Sequence, residues 1–388
     1  MYRIGNEEIE AVRRVIESKQ LFKVNSGELQ ETWNAEKELC EKFCSDYSLI
    51  MTSGHAALAS ALVALGIGPS DQVIVPGYTY IATAMAVLEA GAIPVIAEID
   101  ESLTIDPTDF EAKITPNTKA VIPVHIKGFP SDMARICEIA KKHNIAVVED
   151  ACQADGASFG GKRLGTIGDA GAYSFNFFKI ISMGEGGALV TNRQDVFEAA
   201  LIYHDASAIA FFGNQMEGFA TEAFCGSEYR TNEIATAIFR EQLKKLDSII
   251  ADLRRNKKYV MDRLQPYCRF IRSNDIEGDL GTTAALLFDT ADEAERVGAL
   301  IQSAPTIHTG KHVYSKWEPI LKKRGAFHPL MDPFKMAANK DIIPDYTEDM
   351  CPVTLDLLSR TVYIEIDPDW TQEAMDAKIR TVIEALSQ

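Results

Sequence analysis

Short apolar segments alternate with longer helix-like segments along the first half of the chain. HAALASALVAL (55–65) and SDMARICEIAKKH (131–143) are helix-like, with a capping Ser131-Asp132 pair at the start of the second and Asn144 as its stop. The apolar segments have the length of strands: SLIM (48–51), QVIVP (72–76), AIPVIAEI (92–99), AVIPVHI (120–126) and IAVVED (145–150). Val- and Ile-rich strands separated by helices predict a mostly parallel sheet buried on both faces.

The rest of the chain predicts two domains. AGAYSFNF (170–177) and ALVTN (188–192) continue the strand pattern, and a long helical region covers about 230 to 264. A smaller α/β unit follows, with these elements: TAALLFD (283–289), a helix around 291–302, TVYIEI (361–366) and a closing helix near 371–386. We therefore expect a large domain over residues 1–250, including the N-terminal segment, and a small C-terminal α/β domain over residues 251–388.

The composition indicates a folded protein and argues against several partners. Of the 388 residues, 46% are hydrophobic, and 39 basic against 56 acidic side chains give a formal net charge of −17. That charge disfavours nucleic acid or an anionic membrane surface as a partner. No apolar run reaches the roughly 18 residues of a membrane helix, and the charged N-terminus lacks the apolar core of a secretory signal. Seven scattered cysteines fit a reducing compartment, so we expect a cytoplasmic protein without a metal site.

Residues with useful chemistry follow several predicted strands. Ligands collect at the carboxyl ends of the strands in doubly wound sheets, so these positions bear directly on function. Gly54 and His55 follow the first strand at the start of a helix, where exposed amides suit a phosphate. The other members of the set are Tyr80 after the second strand, Asp150 and Gln153 after the fifth, then Ser174 and Lys179.

This set matches the needs of pyridoxal phosphate (PLP). The cofactor requires a lysine amine for a Schiff base and an acid that keeps its ring nitrogen protonated. Lys179 and Asp150 can supply both groups, and the apolar residues around Lys179 favour the uncharged amine that attacks the aldehyde. Each residue alone is more often structural, as a surface lysine or a helix-capping aspartate. Only their joint placement at successive strand ends favours a cofactor site.

Four stretches resemble motifs of the DegT/DnrJ/EryC1/StrS sugar aminotransferases, in the family order: TSGHAALASAL, VPGYTYIATA, VEDACQADGA and SFNFFKIISMGEGGALVTN. The resemblance implies the PLP-dependent transferase fold of type I, an α/β fold whose large domain has a mostly parallel mixed sheet flanked by helices, plus a smaller C-terminal α/β domain. It implies that Lys179 carries the Schiff base and moves a proton as general acid and base. It places Asp150 at the ring nitrogen and Gln153 near the 3-oxygen of the ring.

The same resemblance implies the remaining cofactor contacts and the reaction. Tyr80 would stack on the ring, and the Gly54 and His55 amides with the Ser174 hydroxyl would bind the phosphate. Glutamate or glutamine would donate an amino group, with PLP cycling through pyridoxamine phosphate (PMP), and a keto or aldehyde sugar would accept it for amino-sugar biosynthesis. Acceptors in the family include nucleotide-linked hexoses and an oxidised eight-carbon keto-acid sugar of lipopolysaccharide. The family forms homodimers with active sites at the subunit interface.

Other functions stay open. Family members with histidine in place of the lysine dehydrate sugars, so Lys179 favours transamination over a PLP- or PMP-dependent sugar dehydratase. An aminocyclitol aminotransferase is a second alternative. A non-catalytic regulator that binds the cofactor is disfavoured, because the chain is acidic and has no spare module with a basic face.

Two positions depart from the family pattern, and one segment is a candidate substrate pocket. His55 stands where a Thr or Ser hydroxyl is usual. Glu228 replaces an Asn that reaches a phosphate across the dimer interface, and we expect this carboxylate to turn away. The segment 309–330 carries cationic and aromatic side chains that could bind an acidic group or a sugar ring, although a solvated loop explains it equally well. Its candidate substrate residues are Lys311, His312, Tyr314 and His328.

Overall fold

The computed structural model describes residues 2–23, 27–206 and 218–388. Within these residues the main sheet has seven strands in the spatial order β1-β9-β8-β5-β4-β2-β3. The strands are β1 (Tyr47–Met51), β2 (Gln72–Pro76), β3 (Ile93–Ala97), β4 (Thr118–Val121), β5 (Ala146–Asp150), β8 (Ala170–Ser174) and β9 (Gly187–Thr191). The neighbouring pairs β3–β2, β2–β4, β4–β5 and β5–β8 are parallel, whereas β9 is antiparallel to both β8 and β1. The sheet is therefore mixed but mostly parallel, as predicted.

Helices pack on the main sheet and around the strands of the C-terminal part. They are α1 (Asn6–Ser18), α2 (Glu31–Phe43), α3 (Gly54–Ala64), α4 (Ala82–Glu89), α5 (Pro107–Ala112), α6 (Met133–His143), α7 (Gln194–His204), α8 (Glu233–Leu264), α9 (Ala291–Ile301), α10 (Glu318–Leu321), α11 (Pro352–Ser359) and α12 (Gln372–Leu386). None of the helices in the described ranges has the length and apolarity needed to span a bilayer.

Alternate residues of each central strand enter two different hydrophobic clusters. In β2, Val73 and Val75 join a cluster with residues of α3, α4 and α7, whereas Ile74 joins a cluster with residues of α2, α6 and α8. Both faces of the strand are thus covered, and each fully buried aliphatic side chain contributes about 1.5–3 kcal/mol. This arrangement explains the continuous apolar strand sequences, because no strand face is left for polar residues.

A two-stranded antiparallel unit lies in the C-terminal part of the chain. It pairs β10 (Thr283–Leu287) with β11 (Thr361–Glu365). Separately, β6 (Ser158–Phe159) and β7 (Lys162–Arg163) form a short antiparallel hairpin between β5 and β8 in the chain. Helix α8 runs without a break through residue 250 and packs against α1, α2 and α12. The division at residues 250 and 251 stays a prediction.

Candidate active site

A cavity of about 690 Å³ opens at the carboxyl ends of β2, β5 and β8. Parallel strands end at the same edge of the sheet, which is why residues far apart in sequence meet here. The cavity walls include all seven predicted cofactor residues and one of the predicted substrate residues: Gly54, His55, Tyr80, Asp150, Gln153, Ser174, Lys179 and His312.

Lys179 lies in the turn after β8 and is half-buried. Its amide donates to the Asn176 carbonyl at 3.1 Å, and the Phe178 amide donates to Asn176 Oδ1 at 3.0 Å, which fixes the turn. No residue of the described ranges forms a hydrogen bond or ion pair with Lys179 Nζ. The ammonium or amine group therefore lies in the cavity wall with its bonding capacity unused.

Asp150 ends β5 with its carboxylate held by two donors. Thr83 Oγ1 donates to Oδ2 at 2.7 Å, and the Cys152 amide donates to Oδ1 at 3.2 Å. The residue is only 6% exposed. Burial with two oriented donors suits a carboxylate whose remaining capacity is directed at a ligand N–H. Thr83 comes from the first turn of α4, a contact that strand-end reasoning from the sequence missed.

The start of α3 offers a phosphate-sized cradle. Ser53 caps the helix by accepting the Ala56 amide at 3.0 Å, and the amides of Gly54 and His55 have no acceptor among the described residues. A Cβ atom on Gly54 would lie 2.5 Å from Cys152 Sγ and 2.9 Å from Ser174 Cβ. Glycine is therefore required for the helix start to approach the serine. Free amides at a helix N-terminus next to a hydroxyl are suited to an anion.

The His55 side chain is bound to the neighbouring helix. Its Nε2 lies 2.6 Å from Glu89 Oε2, and its Nδ1 lies 3.2 Å from the Ala82 carbonyl. Burial by itself lowers the pKa of His55, but the Glu89 carboxylate outweighs it, so the pKa is raised. The same contact lowers the pKa of Glu89, which also accepts a hydrogen bond from the Tyr229 hydroxyl. At this position the backbone amide, rather than the imidazole, is available to a phosphate.

Gln153 and Tyr80 line two further parts of the wall. Gln153 Oε1 accepts the Lys127 amide at 3.1 Å. The Tyr80 ring is half-exposed and lies 5.3 Å from the His312 ring, at an interplanar angle of 50°. Burial lowers the pKa of His312, and the positive charges of Lys127 and Lys179 lower it further. The exposed Tyr80 face is suited to stacking on a flat ring.

Asp155 also lines this cavity, and the sequence offered no signal for it. Its side chain is 1% exposed, and Oδ1 is buried without a hydrogen-bond partner. Burial raises the pKa of Asp155, while the charge of Lys179 opposes this rise. Burying a carboxyl oxygen without a hydrogen-bond partner costs folding free energy, so such a group in a native protein needs an explanation. Because Asp155 lines the cavity, we assign it to the candidate site and not to the core.

Three predicted substrate residues lie outside the cavity wall. Tyr314 is fully buried, and its hydroxyl accepts the Cys351 amide at 2.9 Å, so its ring packs in the core of this chain. Lys311 is exposed, with its carbonyl bound by the indole N–H of Trp317. His328 is exposed and accepts the Leu330 amide through Nδ1. Their roles in substrate binding stay predictions.

The Glu228 side chain bonds within its own segment, while its backbone pairs with Asp205. Its carboxylate accepts the Arg230 amide at 3.1 Å and forms an ion pair with the Arg230 guanidinium at 2.5 Å. Arg230 also pairs with Asp205. The side chain is thus oriented toward Arg230.

The donor set fits pyridoxal phosphate. Free helix amides beside a hydroxyl suit the phosphate, Tyr80 offers a face to the ring, Asp150 is a placed carboxylate, and Lys179 is an unpaired amine. Among the described residues no group of three or more His, Cys, Asp or Glu side chains could hold a metal ion.

Known proteins resemble this chain along most of its length. Residues 2–387 match the model of the DegT/DnrJ/EryC1/StrS aminotransferase family. The L-glutamine:2-deoxy-scyllo-inosose aminotransferase of Streptomyces kanamyceticus is 32% identical over 375 residues, 91% of this chain and 85% of that protein. The GDP-perosamine synthase of Escherichia coli O157:H7 is 31% identical over 319 residues, 79% of this chain and 86% of that protein.

The crystal structure of an aminotransferase from Psychrobacter cryohalolentis has a TM-score of 0.79 and 26% identity, and the match covers 99% of this chain and 98% of that one. The 3-amino-5-hydroxybenzoic acid synthase structure gives a TM-score of 0.78 at 24% identity, and the match covers 99% of this chain and 97% of that one. The predicted fold class is therefore confirmed. The chain belongs to the DegT/DnrJ/EryC1/StrS aminotransferase family.

Proposed function

We propose that the protein transfers an amino group from L-glutamate or L-glutamine to the carbonyl group of a keto sugar or a related cyclic polyol, for amino-sugar biosynthesis. As an enzyme of this aminotransferase family it uses pyridoxal phosphate. The observation that carries the proposal is the shared cavity of Lys179 and Asp150. Relatives named for a glutamine-dependent inosose aminotransferase and for GDP-perosamine synthesis support both the donor class and the acceptor class.

Lys179 would perform the proton transfers. When bound, pyridoxal phosphate supplies a carbonyl carbon for the amino group and a cationic ring that withdraws electrons from the substrate carbon. Lys179 Nζ has no partner in the described structure, so the amine is free to take a proton from the substrate carbon and return it on the cofactor side. The presence of lysine here, rather than histidine, favours amino transfer over sugar dehydration.

Other side chains would hold the cofactor. Asp150, fixed by Thr83 and the Cys152 amide, would keep a proton on the ring nitrogen. The Gly54 and His55 amides and the Ser174 hydroxyl would bind the phosphate. Tyr80 would cover one face of the ring, and Gln153 would lie near its 3-oxygen.

A homodimer is part of the proposal. Phe177 and Phe178, next to Lys179, are 61% and 79% exposed. Phe178 lines the cavity and its ring contacts that of Phe177, so the two form an exposed apolar patch of the kind that marks a partner's surface. A second copy of the chain would cover them and complete the site. The seven cysteines are all free, which supports a cytoplasmic location.

Borohydride reduction followed by peptide mapping tests the cofactor lysine. Reduction should fix the label on Lys179 in the wild-type protein. Lys179→Ala should lose at least about 10³-fold in rate, because covalent and acid–base catalysis are both removed, with little change in thermal unfolding. Lys119→Ala, which removes an exposed lysine on β4, should behave as wild type. A label on another lysine, or turnover by Lys179→Ala near the wild-type rate, would contradict the assignment.

The acceptor is best identified with the cofactor loaded in its amine form. Keto sugars and keto cyclitols are added one at a time, and return of the aldehyde absorbance marks an acceptor. Mass spectrometry of the product separates the alternatives, since amination replaces the carbonyl oxygen with an amino group, whereas dehydration removes water.

A further inference from the structure

Lys127 has an unusual backbone conformation at the cavity wall. Its φ is +53°, in the left-handed region that a residue with a side chain seldom adopts. Unlike Lys19, Cys44 and Asn144, it does not end an α-helix. Such a conformation costs about 1–3 kcal/mol and persists where its surroundings enforce it. The residue directly follows the predicted strand segment 120–126, so strand-end reasoning could have found it.

Contacts from two parts of the chain hold this conformation. The Lys127 amide donates to Gln153 Oε1 at 3.1 Å, and the Lys127 carbonyl accepts the Thr282 hydroxyl at 2.7 Å. Gln153 belongs to the predicted cofactor set. The backbone of Lys127 is therefore placed relative to the reacting centre, and its side chain extends from that fixed point.

The Lys127 ammonium group retains free bonding capacity inside the cavity. Nζ lies 2.7 Å from Glu365 Oε1 and 5.5 Å from the centre of the Tyr363 ring. The side chains of Lys127 and Glu365 are 32% and 50% exposed, and both line the cavity. An ammonium group has three donors, so the single contact with Glu365 leaves donors available.

Lys127 and Lys179 both line the cavity, together with the carboxyl groups of Asp150, Asp155 and Glu365. The positive charges of Lys127 and Lys179 both act on His312 across the cavity. An acidic ligand is therefore attracted by the individual ammonium groups and not by the cavity as a whole. The ligand that pairs best with the free donors of an ammonium group is a carboxylate.

A purely structural ion pair is the competing explanation. An exposed ion pair such as Lys127–Glu365 stabilises the folded protein by at most about 1 kcal/mol. That is no more than the left-handed backbone at Lys127 costs, so the ion pair alone does not explain this conformation. We propose that the Lys127 ammonium group binds a carboxylate group of the substrate. This carboxylate would displace Glu365, which pairs with Lys127 in the free enzyme. The proposal rests on the proposed function, because it specifies the acidic group of the donor or of the acceptor that this cavity receives.

The test measures binding of glutarate, a dicarboxylate without an amino group, to the purified enzyme by calorimetry. Lys127→Met should raise the Kd for glutarate about tenfold or more, since a charge-assisted contact is lost. Glu365→Gln should lower that Kd severalfold, because the competing carboxylate is removed. Lys42→Met is the matched control, because Lys42 forms a 2.7 Å pair with Asp247 at similar exposure, far from the cavity wall. The Kd of Lys42→Met for glutarate should stay within about twofold of the wild-type value.

A second arm identifies the source of the carboxylate. Glucuronate and glucose differ in one carboxylate, and saturation-transfer NMR reports their binding. A Lys127→Met effect on glutarate assigns the carboxylate to the amino donor, and an effect confined to glucuronate assigns it to an acid-sugar acceptor. The inference is overturned if Lys127→Met changes neither, or if Glu365→Gln weakens binding as Lys127→Met does. Should Lys127→Met not fold, the Glu365→Gln result decides alone.

Failure of this inference is separable from failure of the proposed function. Borohydride labelling of Lys179 is measured on the same variants and does not require a carboxylate ligand. Normal labelling with unchanged glutarate and glucuronate binding would overturn the role of Lys127 only. Absence of labelling in the wild-type protein would overturn the assignment of Lys179 as the cofactor lysine, whatever the glutarate and glucuronate results.

Discussion

At the residue scale, the orientation of Asp150 depends on a hydroxyl 67 positions earlier in the chain. Thr83 Oγ1 donates to one carboxylate oxygen at 2.7 Å and lies equally close to Thr79 Oγ1. A threonine supplies both the hydroxyl and a methyl group that packs in the buried first turn of α4. The carboxylate is therefore held by a short chain of hydrogen bonds that no local sequence pattern reveals.

We expect Thr83→Val to lower kcat about tenfold, because a hydrogen bond to a charged group contributes about 1.5–3 kcal/mol and valine keeps the volume. Asp150→Asn should lower it by orders of magnitude, since the ring nitrogen would lose its counter-charge. Steady-state kinetics and cofactor titration measure both changes. Thr306→Val, at a buried threonine bound to the Leu358 carbonyl outside the cavity, is the control for stability. Unchanged kcat in Thr83→Val would show that Asp150 is oriented without it.

We also expect Asp155→Asn to stabilise the cofactor-free protein, and more so at higher pH. Burial raises the pKa of Asp155, so the folded protein keeps a proton that the unfolded chain releases above about pH 4. Stability therefore falls as the pH rises from that point toward the folded pKa, and asparagine removes this loss. Urea unfolding at about pH 5 and pH 8 should show a gain that grows to about 1–3 kcal/mol.

Asp262→Asn, at an exposed position on α8, is the control for that experiment and should show no such trend. A wild-type protein more stable than Asp155→Asn at the higher pH would mean that Asp155 is ionised and paired with the Lys179 ammonium group.

The candidate site residues that the sequence could predict share one property. Gly54, Asp150, Ser174 and Lys179 each lie at or just after a strand end, so the pattern of the sheet alone brings them together. Asp155 lies in a loop and has no pattern of its own. Its significance comes from burial and from the absence of a partner, and both depend on the folded chain.

At the element scale, strands and capped helices followed the sequence closely. Helix α6 begins after Asp132, whose side chain accepts the Arg135 amide, and ends at Asn144 in the left-handed conformation, as the cap and stop residues predicted. These signals are local, so they survive folding. The candidate pocket segment 309–330 folds into short 3₁₀ turns and one short helix, and tertiary contacts decide which side chains turn inward.

Tyr314 illustrates that limit. Its amide donates to the Gly77 carbonyl, and a Cβ on Gly77 would lie 3.1 Å from the Tyr314 ring. The tyrosine can therefore pack in the core because Gly77, in a distant segment after β2, has no side chain that would contact its ring. Tyrosine has an apolar ring and a polar hydroxyl, so it suits a pocket as well as a core, and the sequence alone could not decide between them.

Helices α3 and α4 are joined by the His55–Glu89 contact, whose stabilising effect should depend on pH. The raised pKa of His55 means that its contribution is complete below about pH 6.5 and is lost as the pH rises through the folded value. The lowered pKa of Glu89 means that its contribution is present above about pH 4.5 and is lost as the pH falls. The contact therefore stabilises most between these two values.

Glu89→Gln should cost about 1 kcal/mol or less of unfolding free energy near pH 5.5 and less than that near pH 8.5. Urea unfolding at the two pH values measures the difference. Glu17→Gln, at an exposed glutamate on α1, should show no pH-dependent change. An equal cost at both pH values would mean that the hydrogen bond from Tyr229, rather than the charge on His55, accounts for the role of Glu89.

At the scale of the whole molecule, the cavity is assembled from residues across most of the chain. Its walls run from Ser53 through Lys179 to Glu365, and they include Leu280, Thr282 and His312 from the C-terminal part. We therefore expect cofactor and substrate to bind only when both parts of the chain have folded. The exposed aromatics at the cavity mouth suggest that one further surface is still needed.

We expect the protein to sediment as a dimer, with Phe178 in the interface. Phe178 is 79% exposed next to Lys179, and a Phe178→Glu variant would bury a charge without a partner in any interface formed there. Analytical ultracentrifugation should then show monomers and cofactor titration a weaker affinity, since the site would be incomplete without its neighbour. Tyr267→Glu is the matched control, because Tyr267 is a 56% exposed aromatic just beyond the end of α8. A dimer that dissociates with Tyr267→Glu but not with Phe178→Glu would place the interface elsewhere, and a wild-type monomer with full cofactor affinity would show that one chain suffices.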